Sequence, residues 1–474
     1  MIEYDIIAIG TGSAMNIISA VMNANPDTKI AVIDKDEPGG ICLTKGCIPT
    51  KILLYPAEVI RTIQRAGIFG IDVDIKKIDF KFVMERMREI IGEDMSNIKE
   101  GLSQAQELDY YQETAEFIDN YTLKVGDKKI KGKLILLCTG SKPKIPNIKG
   151  LDKIDYQTSD SILQISELPH SITIVGGGYI AAEYGHFFAS MGSNVTILGR
   201  NPQFLPQEEP EVSALAKKEL GKHVMIYTDS EVQEVEKEAD GKVKVIAVNR
   251  ETNEKIEVKT DELLVAAGRS SNSDILHPEK SGIKTDKDGW IMVNELLETS
   301  KKNIFAFGDA NGKYLFKHAA NYESKIVYYN AIQKQELKVA YHAIPRAVFS
   351  DPEVASVGMR EAEAIDEFGK EDIIIGFQRY QDTAKGVAMD LKDFFVKVIV
   401  HRKTMEILGA HIIGPFASVL IQEIINLMYT PERSIVPIFQ GMHIHPALNE
   451  VVERAAGNLM PVDHYHHFIQ QIGL

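Results

Sequence analysis

Cysteine is scarce: three in 474 residues, too few for the disulfide framework of a small secreted domain. Positive charge is also short. Lys and Arg number 53 against 67 Asp and Glu, a balance of −14 that repels nucleic-acid phosphates and anionic lipid, so neither is expected as a partner. No apolar run reaches the roughly 18 to 20 residues a membrane helix needs. The opening MIEYDIIAIG is an acidic residue before a short apolar strand, without a basic secretory n-region, and the expected location is the cytoplasm. Disorder-type bias is missing as well, because 44% hydrophobic and 25% charged residues with 18 prolines describe a globular chain. At about 150 residues per domain the length predicts about three domains.

Two segments carry the same pattern: a short β-branched strand, a glycine turn, an amphipathic helix, and a second strand ending near a charged residue. They run over residues 4 to 34 and 171 to 200 and read as two dinucleotide sites. LILLCTGSKPKIP, residues 134 to 146, is a buried strand, a turn at Gly140 and a proline-containing exit. DELLVAAGRSSN repeats that exit at Gly268, and NIFAFGDANG ends on Gly308-Asp309. Beyond about 340, short strands and a helix around SVLIQEIINLMY predict a separate α+β domain. The predicted class is α/β, with two Rossmann-like domains and a C-terminal α+β domain. The divisions are 1–150 and 273–340 for the first nucleotide domain, 151–272 for the second and 341–474 for the last.

At such sites the first glycine allows a tight turn, the second lets backbone approach a pyrophosphate, and the third permits close helix–strand contact, with the phosphates at the helix N-terminus. Gly10 and Gly12 fill the first two positions of the first site, but Met15 stands at the third; Asp34 ends the following strand, where a carboxylate binds ribose hydroxyls. The second site has Gly176, Gly178 and Ala181, and its second strand ends on Gly199-Arg200 instead of an acid. Without that carboxylate a 2′-phosphate is not repelled, and Arg200 can bind it, which favours NADPH over NADH; the alternative is that Arg200 is a solvated surface residue. Gly140, Gly268 and Gly308 are counted with the cofactor-binding residues.

GGICLTKGCIPTK places Cys42 and Cys47 close together directly after the first nucleotide segment. Such a dithiol can open and close as a small loop, one sulfur attacking a substrate sulfur and the other exchanging electrons with a cofactor. Zinc would need more ligands at similar spacing; Cys138 is distant on an apolar strand and histidines cluster near the C-terminus.

These residues resemble the redox signature of the class I pyridine nucleotide-disulfide oxidoreductases. VGGGYIAAEYG is similar to that family's nicotinamide site, FAFGDA to its second FAD motif and GMHIHPALNE to its C-terminal catalytic motif, in the family's order. The resemblance implies FAD as cofactor, Cys42 as interchange thiol and Cys47 as flavin-proximal sulfur. It implies Lys51 and Glu183 near the flavin N5, Asp309 on the FAD chain and pyrophosphate region, and Asp34 on the adenosine ribose. It further implies a homodimer in which His445, paired with Glu450, serves the partner's disulfide as the base that takes and returns thiol protons. His443 is read as structural.

The chain ends DHYHHFIQQIGL without the cysteine pair of mercuric reductases, which disfavours mercury reduction. His464, His466 and His467 are read as an exposed tail or interface segment. IGTGSAMN, KILLYPAEV and LFKHAANYESKIVYYNAI look most like the mycothione reductase branch, implying a low-molecular-weight disulfide as substrate. Alternatives are a dihydrolipoamide dehydrogenase using NAD, a flavin oxidase or diaphorase needing neither cysteine nor His445, and a nucleotide-binding scaffold subunit. Lys45 is expected to lower one cysteine's pKa, and Tyr55 and Pro56 lie just beyond, lining the cleft or the core.

Overall fold

The strand β1 (Ile2–Ile9) has strands on both sides and faces covered by other elements, which is why it reads as an almost continuous apolar run. The structure, a computed structural model of the chain, describes residues 1–473. After β1 come α1 (Ala14–Ala24), β2 (Ile30–Ile33), the short α2 (Gly40–Thr44), α3 (Cys47–Arg65) and α4 (Phe80–Gln104). Next are β3 (Leu108–Tyr111), β4 (Ala115–Asp119), β5 (Thr122–Val125) and β6 (Lys128–Leu137). The sheet order is β3-β2-β1-β6-β5-β4, and the distant strand Ile304–Ala306 adds in parallel to the other side of β6. The chain therefore leaves this sheet and returns to it.

The excursion begins at β7 (Ser141–Pro143), which pairs antiparallel with the returning strand Arg269–Ser271. Between them β8 (Gln157–Thr158), β9 (Ser171–Val175), α5 (Tyr179–Met191) and β10 (Asn194–Leu198) build a second parallel sheet with Met225–Tyr227 and Glu262–Val265. A three-stranded antiparallel meander, Ser230–Lys237, Val243–Asn249 and Lys255–Thr260, is appended to it. The charged pattern of that stretch is a solvated face of strands.

From Arg346 onward a six-stranded antiparallel sheet, backed by the helices Glu450–Gly457 and Val462–Ile472, forms the C-terminal unit. Lys397 from this sheet is almost fully buried, and its Nζ lies 2.9 Å from Glu209, 2.6 Å from Glu211 and 2.7 Å from Glu361. These glutamates have the spacing of a metal cluster, but the ammonium stands among them and ties the second nucleotide domain to the last domain. His466 also belongs here, with Nε2 2.6 Å from Glu361. The histidine-rich end is a helix whose three histidines, His464, His466 and His467, are all exposed as expected, His466 half-covered by its contact with Glu361. Among the described residues no helix is long and apolar enough to cross a membrane.

Candidate active site

The parallel strands bring their glycine turns to a common edge. At Gly10, φ is +102° and a Cβ would lie 2.1 Å from the Cys138 carbonyl oxygen, so the turn requires glycine. Gly176 repeats this at the second site, where a Cβ would lie 2.2 Å from the Ala266 oxygen. At the departure, Met15 is half-buried and packs against the core, while the small residue before it, Ala14, is fully buried. Asp34 ends β2 with Oδ2 accepting from Thr11 N and Thr11 Oγ1 at 2.8 and 2.5 Å.

A cavity of about 640 Å³ runs from this turn to the second domain, lined by Gly10, Gly12, Asp34, Cys42, Cys47 and Lys51 and further by Gly140, Glu183, Gly308 and Asp309. The residues fit an elongated dinucleotide. A Cβ on Gly40 would lie 2.7 Å from Gly12 Cα, so the thiol-bearing segment meets the first glycine turn backbone to backbone at the cavity, and among the described residues the buried Thr139 hydroxyl on its wall has no partner. Gly140 and Gly308 have positive φ at the two strand ends facing it. Asp309 is buried, which pushes its carboxyl up, and it accepts from Ser141 Oγ at 2.5 Å; Arg269 Nε donates to the same hydroxyl at 2.6 Å. Buried Glu323 fixes this loop by accepting from Gly308 N at 2.6 Å and Asn311 Nδ2 at 3.0 Å. Ser141, Arg269 and Glu323 were invisible to motif reading, because only folding brings these separated segments together.

Both cysteines carry free thiols. Cys42 belongs to α2 and Cys47 begins α3, where the helix N-terminus favours an anion. The Cys42 thiol donates to Cys47, and with help from the Lys51 charge this holds Cys47 down at about 7; the same bond pushes Cys42 up. Cys47 is open to the cavity while protein surrounds its other sides. Lys51 Nζ makes two bonds of 2.8 Å to Glu183, whose Oε1 also accepts from Phe349 N at 3.1 Å, and the Phe349 ring lies 4.6 Å from the ammonium. Lys45 does not play the part expected of it: its ammonium is paired with Asp36 at 3.1 Å, and the cation acting on Cys47 is Lys51. Tyr55 is exposed, not part of the core, and Cys138 is pushed up to about 11 by burial.

His445 Nδ1 lies 2.9 Å from Glu450 Oε1, and Glu450 Oε2 accepts from Ala447 N at 3.2 Å. The bond to His445 holds the Glu450 carboxyl below its usual range. Neither residue lines the cavity of its own chain. His445 is 67% exposed, Met442 and Ile444 beside it are exposed too, and Glu450 beneath it is buried. His443 is instead turned inward, 3.3 Å from Glu423.

At the second site Gly178 caps α5, and Ala181 is fully buried against the sheet. Gly268, with φ +113°, leads into Arg269. Arg200 is exposed just beyond the end of β10.

Two dinucleotide folds joined by a cavity that holds a polarised thiol pair define a flavin- and nicotinamide-dependent dithiol oxidoreductase. The chain belongs to the pyridine nucleotide-disulphide oxidoreductase family: that family's model matches residues 4–345, and the model of its dimerisation domain matches residues 344–456. It is a flavoprotein enzyme of a family that uses FAD and a pyridine nucleotide, and its dimerisation domain marks a homodimer. Mycothione reductase of Mycobacterium tuberculosis is 34% identical over 96% of this chain and 99% of its own. Dihydrolipoyl dehydrogenase of Chlamydia pneumoniae is 32% identical over 98% of each chain. Among solved structures, the HOCl-induced flavoprotein disulfide reductase RclA from Escherichia coli, in its Cu(II) complex, superposes with a TM-score of 0.84 at 27% identity, covering 96% of this chain and 99% of that one.

Proposed function

We propose that the enzyme reduces a low-molecular-weight disulfide with NADPH in the cytoplasm. The observation that carries this reading is the Cys42–Cys47 pair, polarised toward a Cys47 thiolate beside Lys51–Glu183 in the dinucleotide cavity. Residues 1–150 and 273–340 hold FAD, 151–272 hold the nicotinamide nucleotide, and 341–474 form the dimer contact. Gly10, Gly12, Asp34, Gly140, Gly308 and Asp309 bind FAD; Gly176, Gly178, Ala181, Arg200 and Gly268 serve the nicotinamide side. Bound FAD supplies the two-electron exchange between a nicotinamide hydride and a protein sulfur.

The electron pair opens the Cys42–Cys47 disulfide, leaving Cys47 as thiolate and Cys42 as thiol. Lys51 balances the charge that arrives there, and Glu183 fixes its direction. Cys42, deprotonated by His445 of the partner subunit, attacks one sulfur of the substrate; the substrate S–S bond breaks and the leaving thiolate takes the proton back from the imidazolium. Cys47 then attacks Cys42, releases the second thiol and restores the disulfide. One NADPH and one proton thereby convert one disulfide into two thiols. Glu450 keeps the imidazole in the tautomer whose other nitrogen faces the substrate.

The second reading runs the same residues backward, with dihydrolipoamide as donor and NAD as acceptor. It is favoured by the dihydrolipoyl dehydrogenase relative and opposed by Gly199-Arg200 at the nucleotide site. An oxidase would leave both thiols and the His445–Glu450 pair without work. The test is anaerobic stopped-flow reduction with NADPH and NADH, followed by mixing with a panel of oxidised thiols, and separately dihydrolipoamide with NAD. Fast reduction by NADPH and reoxidation by a small disulfide support the proposal; fast NAD reduction by dihydrolipoamide alone overturns it.

A further inference from the structure

We infer that Arg250, from the meander and not from the nucleotide fingerprint, is the second arginine of the 2′-phosphate site and so a specificity-determining residue; this rests on the NADPH reading above. In a βαβ nucleotide fold the residue ending the second strand meets the adenosine ribose, and here that end is Gly199-Arg200. The start of the meander is bound to it by backbone: Ser230 N donates to Gly199 O at 2.8 Å, Asp229 N to Asn201 O at 2.9 Å, and Arg250 N to Asp229 O at 2.6 Å. The Arg250 side chain then crosses to this end, and Nη1 donates to the Arg200 carbonyl at 3.1 Å. The Arg250 guanidinium thus sits on the backbone of Arg200 at this strand end, although the two residues are 50 apart in sequence.

That bond uses one of the five N–H donors of Arg250. The side chain is 53% exposed, and the carboxylate facing it, Glu231, stands 3.9 Å from Nε, too far for a hydrogen bond. Glu231 is thus a long ion-pair partner, and among the described residues no further hydrogen bond occupies the remaining donors, which an anion can take. A ribose 2′-phosphate bridging Arg200 and Arg250 would receive charge-assisted, geometrically directed bonds from both, while a ribose with a bare 2′-hydroxyl would gain nothing from Arg250. Arg250 is therefore assigned to discrimination between the two nicotinamide nucleotides and not to holding their common parts.

The experiment is isothermal titration of the FAD-loaded homodimer with 2′,5′-ADP and with 5′-AMP, for the wild type, Arg250→Gln, Arg250→Lys and Arg200→Gln. The expected result is a wild type that prefers 2′,5′-ADP, a loss of about tenfold in that affinity for Arg250→Gln, a smaller loss for Arg250→Lys, and 5′-AMP affinity constant within about twofold. A wild type without preference for 2′,5′-ADP overturns the NADPH reading and this inference with it. A wild-type preference that Arg200→Gln abolishes and Arg250→Gln leaves intact overturns the inference alone.

Discussion

Lys51 reaches across from the redox helix to place its ammonium 2.8 Å from both carboxylate oxygens of Glu183 on the helix of the second nucleotide fold. One ion pair thereby fixes the thiol helix of the first domain against the nucleotide helix of the second, at the cavity where both lie. Lys51 is half-exposed while Glu183 is buried, and removing one partner of such a pair is costly.

The pair sets the Cys47 titration through opposing signs. The Lys51 charge lowers Cys47 and the Glu183 charge raises it. Lys51→Met is expected to move the thiolate titration up from about 7 toward the ordinary thiol value of about 8.5, and Glu183→Gln to move it down. Lys45→Gln leaves it unchanged, because Lys45 is spent on Asp36. A pH titration of thiolate absorbance in the two-electron-reduced protein reads all three, and a Lys45 effect as large as that of Lys51 would reverse the assignment.

Cys42 is the largest influence on that titration, since its thiol donates to Cys47. Cys42→Ala removes the donor and raises the Cys47 pKa, whereas Cys42→Ser keeps a hydroxyl donor and raises it less. In the wild type, thiolate absorbance is lost as pH falls through about 7, the Cys47 thiolate taking up a proton. Equal midpoints for the alanine variant and the wild type would remove this bond from the account.

The proposed mechanism gives His445 and Glu450 to the partner's disulfide. His445→Gln is expected to lose roughly 10² to 10⁴ in disulfide turnover, the usual contribution of a general acid–base group. Cys42→Ser and His445→Gln homodimers should each be inactive. Subunit exchange between them gives heterodimers with one intact composite site, so about a quarter of wild-type activity should return at statistical mixing. No recovery after proven exchange would place His445 and the thiols in a single chain's site.

Lys397 offers a test of stability separate from catalysis. Its removal in Lys397→Ala leaves Glu209, Glu211 and Glu361 buried and facing one another, and a broken buried ion pair costs about 3–5 kcal/mol. Denaturant unfolding of the FAD-loaded protein should show a lower midpoint, partly recovered when Glu211→Gln and Glu361→Gln are added. An unchanged midpoint would mean the cluster is not the tie between domains that its burial indicates.

The nucleotide turns, the cysteine pair and the histidine–glutamate pair were legible because each chemistry sits in one short segment. Gly10 and Gly176 announce themselves through turns that no side chain fits. What stayed hidden depends on pairs distant in sequence: Arg269 on Ser141, Glu323 under Gly308, Phe349 on Lys51, Arg250 on Arg200. Lys45 shows the converse error. Closeness to Cys47 in sequence made it the apparent cation, while the helical turn from Cys47 to Lys51 carries the ammonium that acts. The histidines near the C-terminus are exposed as their run suggests; what the run did not show is the helix face that buries Tyr465 between them and the contact of His466 with Glu361.

The most direct measurement is an anaerobic titration of the oxidised protein with one equivalent of NADPH, counting accessible thiols while following the flavin absorbance. The account predicts two new thiols per subunit, abolished in Cys47→Ser, with the flavin itself still oxidised. A bleached flavin with no new thiols would show that electrons stop at the flavin, contradicting the Cys42–Cys47 relay.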